Sequence, residues 1–72
     1  MSYTVYTKEN CPSCDIAKKL LETKGISFEA FKIGEDIEVD DFKTRYPQAR
    51  MVPFIVNDGE VVGGLNELRK MI

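Results

Sequence analysis

The first 33 residues read as strand, helix, strand, and that succession constrains the fold more than any other feature of the chain. "YTVYT" (3–7) is rich in β-branched and aromatic residues, which fit a pleated, half-buried surface. From Pro12 the apolar residues Ile16, Ala17, Leu20 and Leu21 return at helical spacing. Gly25 ends that helix, with Lys24 in its last turn, where a cation suits the helix dipole. "ISFEAFKI" (26–33) is a second strand whose phase slips between Phe28 and Phe31, which suggests a bulge. Two strands joined by a helix pair in parallel through a right-handed crossover, because a twisted strand feeding a right-handed helix packs back onto its sheet only that way.

In "GEDIEVDDFKTRYP", Asp36 is placed to cap a second helix, acids crowd its first turn, and Ile37, Phe42 and Tyr46 give it an apolar face before Pro47 stops it. "VPFIV", the turn "NDG" and "EVV" then form a hairpin, with Gly59 supplying positive φ. "GGLNELRKMI" turns at Gly63–Gly64 into a short last helix. The expected architecture is α/β, in the order β-α-β-α-β-β-α. One four-stranded mixed sheet is covered by helices on both faces, with Tyr3, Val5, Phe28, Ile33, Phe42, Phe54 and Ile55 in its core. Tyr6 is either part of that core or a lining of the active-site side. At 72 residues the chain is expected to be one domain, 1–72.

Composition narrows the function. With ten Lys and Arg against twelve Asp and Glu the net charge is −2, without the basic balance of a nucleic-acid binder. No apolar run approaches the ~18 residues of a membrane span, and "MSYTVYT" lacks the charged and apolar regions of a signal peptide. The acidic group Glu35, Asp36, Glu38, Asp40 and Asp41 reads as a solvated helix start. A cytoplasmic, reducing location is expected, where a persistent structural disulfide is uncommon and cysteines serve catalysis or metals.

The only two cysteines, Cys11 and Cys14, lie between the first strand and the first helix. Free N–H groups and partial positive charge at a helix start favour a thiolate over a thiol, and Lys8 adds a cation. Cys11 is placed as nucleophile. Cys14, one turn in, is placed to attack a mixed disulfide formed at Cys11. Pro12 fits the first turn, where its missing N–H costs little. The other readings are a pair of buried small hydrophobes, half of a zinc site completed by a second copy, and chance neighbours at a turn. Polar Asn10, Ser13 and Asp15 fit the first of these poorly, and the absence of His and of further Cys leaves no metal site within one chain. The redox reading is favoured by C-x-x-C beside a βαβ pattern.

With "YTKENCPSC", "MVPFIV" and "VVGGLNEL" in this order, the chain resembles a glutaredoxin, a small member of the thioredoxin-fold superfamily. The resemblance implies a thioredoxin-like fold and a glutathione-dependent thiol–disulfide oxidoreductase. It assigns Cys11 as the nucleophile, Cys14 as the resolving thiol and Pro53 as a cis-proline facing them. Cis is inexpensive only at X–Pro bonds, although Pro53 also suits the first residue of an edge strand. The backbone of Val52 would pair with the cysteinyl part of glutathione, and Met51 would serve through its backbone. Gly64, Leu65 and Asn66, with Glu67 adjacent, would hold the γ-glutamyl end, and Lys8, with Arg50 as a further candidate, the glycyl carboxylate.

Three positions depart from the pattern. Ser13 stands where the family has an aromatic, Met51 where it has threonine, and Asn66 where it has the first of two acids. The partners implied are glutathione and disulfide-containing client proteins, with ribonucleotide reductase a candidate client, and the chain is expected to act as a monomer without metal. Two alternatives stay open. One is the same chemistry driven by thioredoxin reductase; the other is a dimer bridging a [2Fe–2S] cluster.

Overall fold

The computed structural model describes residues 2–49 and 52–72. Its elements are β1 (Tyr3–Thr7), α1 (Pro12–Thr23), β2 (Phe28–Lys32), α2 (Val39–Arg45), β3 (Phe54–Asn57), β4 (Glu60–Gly63) and α3 (Leu65–Met71). The sheet order is β2-β1-β3-β4; β1 and β2 run parallel, and the β1–β3 and β3–β4 pairs are antiparallel. This is the expected thioredoxin-like α/β arrangement. Among the described residues no helix is long and apolar enough to cross a membrane.

Each face of the sheet carries its own core. Tyr3, Val5 and Ile55 meet Ala17 and Leu21 of α1 and Leu68 of α3 on one side. Tyr6, Phe54 and Val56 meet Phe42 of α2 on the other. Alternation along a strand sends neighbours to opposite faces, so β1 and β3 are buried on both. Leu21, Ile55 and Leu68 are fully enclosed, and each such side chain contributes about 1.5–3 kcal/mol through removal from water. The second core is aromatic. Tyr6 lies with ring centroids 5.0 Å from Phe42 and 5.5 Å from Tyr46, and Phe42 meets Phe54 edge-on at 5.7 Å. Burial, followed by the neighbouring Tyr6, pushes the Tyr46 phenol above its ordinary value.

Four local expectations are corrected. The phase slip between Phe28 and Phe31 is no bulge, since β2 keeps an unbroken register with β1. Phe28 packs with the α1/α3 core and Phe31 with the α2 core, so a three-residue spacing serves two faces. The irregularity lies instead between Ile55 and Val56, which pair with Gly63 and Val61 and leave Val62 as the extra residue of β4. Asp36 does not cap α2, whose N-cap is Glu38 without a side-chain cap bond. Its Oδ2 accepts the Lys32 N–H at 2.9 Å, closing a turn in which Ile33 bridges Ile37, so Ile37 precedes the helix. Lys24 is the C-cap of α1 and not part of its last turn.

The hairpin forms as expected. Asn57 pairs with Glu60 across a two-residue Asp58–Gly59 turn, with φ of 52° and 84°. Positive φ at both positions matches the right-handed twist of the strands, and Asp-Gly is among the pairs that accept it.

Ile55→Ala is expected to cost roughly 2–5 kcal/mol, through lost transfer energy and the cavity left behind. Val61→Thr, at a site 44% exposed, is expected to cost under about 0.5 kcal/mol. Urea unfolding of both variants checks the contrast.

Candidate active site

Three connections meet at one end of the sheet. The β1–α1 loop leaves the carboxyl end of β1. Tyr6 pairs with Phe54, so the segment entering β3 lies at this end too, and its Val52 shares a hollow with Lys8. Antiparallel β4 ends at Gly63 opposite Ile55, so the turn into α3 lies at the same end.

Asn10, at φ 55°, turns the loop, and Cys11 becomes the N-cap of α1 in an extended conformation. The Cys11 Sγ accepts the Cys14 N–H at 3.2 Å, the position in which a capping serine or aspartate places its oxygen. The Cys11 carbonyl accepts the N–H groups of Cys14 at 3.1 Å and Asp15 at 3.3 Å. Cys11 and Cys14 are joined as a disulfide with their Cα atoms 5.3 Å apart, and the described residues contain no other cysteine. Their exposures differ: Cys11 is half-buried, while Cys14 is only 1% exposed. The arrangement offers one sulfur to an incoming molecule and holds the other beneath it. Pro12 and Ser13 are exposed beside them.

Of the other residues named from the sequence, Lys8 is exposed, Val52 half-buried and Pro53 buried, and the Val52–Pro53 bond is cis. Lys8 and Val52 line one hollow of about 220 Å³, together with Ile33, Val39, Phe42, Lys43 and Ala49. A second hollow, about 270 Å³, opens on both cysteines. Thr7, Lys8, Glu9, Asn10, Asp15, Lys18 and Lys32 surround it. Met51 and Arg50 lie outside the described residues. Gly64, Leu65 and Asn66 are at the same end of the sheet, but none of them lines either hollow. The Leu65 side chain packs into the α1/α3 core.

The turn into α3 is tightly determined. Glu67 reaches back so that its Oε1 accepts the Gly64 N–H at 2.8 Å. Gly63 sits at φ 122°, and a Cβ there would meet Glu67 Cγ at 2.8 Å. The glycine is required both by its backbone conformation and by the side chain folded over it.

Beyond Lys8 and Asp15, sequence reasoning missed Glu9, Lys18 and Lys32 around the cysteines. The signal for Lys18 was present, since it stands one helical turn beyond Cys14 and such pairs are surface neighbours. Lys32, Phe42 and Lys43 come from distant elements and carry no local signal.

The Glutaredoxin family model matches residues 3–62. Glutaredoxin 3 of Escherichia coli K12 is 36% identical over 64 residues, covering 89% of this chain and 77% of that protein. Hybrid peroxiredoxin hyPrx5 of Haemophilus influenzae is 35% identical over 69 residues, covering 96% of this chain but 28% of its own length. Among solved structures, Glutaredoxin 1 from Francisella tularensis, complexed with cacodylate, superposes with a TM-score of 0.79 at 28% identity, covering 96% of this chain and 88% of its own.

Gly63→Ala is expected to cost roughly 1–3 kcal/mol from the forced backbone conformation, and more from displacing Glu67. Glu67→Ala removes two of the three closest contacts. The double variant should therefore lose measurably less than the sum of the singles, a coupling read from a double-mutant cycle in urea.

Proposed function

The chain belongs to the glutaredoxin family of thiol–disulfide oxidoreductases, and on that premise we propose that it reduces protein disulfides and glutathione-mixed disulfides at the expense of glutathione. The observation that carries this reading is the Cys11 Sγ at the N-cap of α1, accepting the Cys14 N–H. A hydrogen bond to a sulfur anion, reinforced by the dipole of a twelve-residue helix, favours the thiolate that exchange requires.

In the forward direction the Cys11 thiolate attacks one sulfur of a client disulfide. A bond forms from Cys11 Sγ to that sulfur, and the other client sulfur leaves as a thiolate that takes a proton from water. Cys14 then loses its proton and attacks Cys11 Sγ. The Cys11–Cys14 bond forms, the bond to the client breaks, and the second client sulfur leaves reduced. Two glutathione thiols restore the pair and are themselves oxidised to the disulfide. For a glutathione-mixed disulfide the first attack suffices, and a second glutathione releases Cys11.

Lys8, Met51, Val52, Pro53, Gly64, Leu65 and Asn66 are proposed to hold glutathione. In support, Lys8 and Val52 share a hollow with an apolar floor, which suits a carboxylate held against a peptide backbone. Exposed Ser13 and Asn66 offer less than an aromatic wall and a second carboxylate would, and they favour a weaker hold on glutathione. Ribonucleotide reductase is proposed as one client, by family analogy alone.

Cys11→Ser is expected to abolish both reactions, while Cys14→Ser abolishes protein-disulfide reduction and retains deglutathionylation. Full activity of Cys11→Ser in either assay would overturn the reading. Glutathione titrated into the reduced protein should move the backbone amides of Val52, Leu65 and Asn66. Unmoved amides, with turnover supported only by thioredoxin reductase, would replace glutathione as the reductant.

A further inference from the structure

Cys14 must become a thiolate at the moment Cys11 is bonded to a client, yet it is 1% exposed. Burial disfavours the charged form of a thiol. The helix start helps both cysteines, so something further must act on the buried one.

The hollow that reaches Cys14 is ringed by charge: Lys8 and Glu9 from the β1–α1 loop, Asp15 and Lys18 from α1, and Lys32 from β2. These charges are not equivalent. The Lys32 Nζ lies 3.9 Å from Glu9 Oε1 and 3.4 Å from Glu35 Oε2, so two carboxylates offset its single charge. Lys8 also borders the hollow on the α2 side. Lys18 has one partner, Asp15, at 3.6 Å. The Lys18 side chain is 36% exposed and that of Asp15 is 78% exposed. Water screens this aspartate and also Glu9 and Glu35, at 76% and 63% exposure, so Lys18 and Lys32 differ in the number of acids beside them, one against two. Lys18 also follows Cys14 by four residues on one helix, the spacing at which side chains are neighbours.

We propose that Lys18 is the positioning residue of the resolving step: its ammonium, at the wall of the hollow, holds Cys14 as a thiolate while Cys11 carries the client. The proton of Cys14 leaves through the hollow to water. The electron pair left on Cys14 Sγ forms the bond to Cys11 Sγ, and the client sulfur departs with the pair of the bond that breaks. The client disulfide is the oxidant, and no other reagent is needed. This rests on the reading of Cys14 as the resolving thiol.

Cys11→Ser leaves Cys14 as the only thiol of the chain, so the ultraviolet absorbance of its thiolate titrates that group alone. Adding Lys18→Gln should raise the midpoint by roughly half to one pH unit, a three- to tenfold smaller thiolate fraction near neutrality. Lys18→Arg should restore it, and Lys32→Gln should move it far less. In the chain with both cysteines, Lys18→Gln should shift the pH profile of protein-disulfide reduction upward by a similar interval. An unmoved midpoint in Lys18→Gln, or an equal movement in Lys32→Gln, overturns the proposal. Failure of the underlying reading looks different: Cys14→Ser would then reduce protein disulfides as well as the native chain does, whatever the titration gives.

Discussion

The active end of the molecule depends on one pairing, that of β1 with β3. Tyr6 lies opposite Phe54, and this register fixes the segment before β3 against the loop that carries the cysteines. A slip of one residue would turn every side chain of β3 to the wrong face. Ile55 would leave the α1/α3 core, and Phe54 and Val56 would leave the aromatic one. The two cores therefore hold the register, and the register brings the segment entering β3 to the end of the sheet where Val52 and Lys8 share a hollow. Packing on both faces of a four-stranded sheet is what lets so short a chain set the site's position.

From that scaffold the two sulfurs acquire different surroundings without different chemistry. Cys11 is a helix cap, half-exposed, with a backbone N–H pointed at its sulfur. Cys14 is the third residue of the helix and faces inward with Ala17 and Leu21, the other buried positions of α1. Position along one helix thus separates an accessible sulfur from a sheltered one three residues on. The sheltered sulfur meets solvent through a hollow walled largely by charged side chains.

Much of this was legible in the sequence, for identifiable reasons. β1, α1 and the hairpin depend on local signals: β-branched residues, helical spacing after Pro12 and an Asp-Gly turn. The cysteine pair was legible because a helix start is itself a local feature. What could not be read were contacts made at a distance. The spacing of Phe28 and Phe31 looks like an error of phase until two cores are known to exist, one on each side of β2. Asp36 looks like a helix cap because the competing turn, which gives its carboxylate the Lys32 N–H four residues back, depends on the bridge between Ile33 and Ile37. The bulge of β4 is invisible because Val61 and Val62 are alike, and only the pairing with Ile55 and Val56 tells them apart.

The same distinction bears on Ser13. An aromatic at that position would stand on α1 and add apolar surface next to the sulfurs. Here that position is exposed and polar, and a described hollow with an apolar lining lies beside Lys8 instead, in Ile33, Val39, Phe42, Ala49 and Val52. Of these, Ile33, Phe42 and Ala49 pack in the aromatic core and not against the helix that carries the cysteines. Lys8 and Lys43 line the same hollow, so two cationic side chains stand beside that apolar surface. Substitutions on α2 act first on the core of its own face and leave the helix that carries the cysteines in place, because the two pack on opposite faces of the sheet.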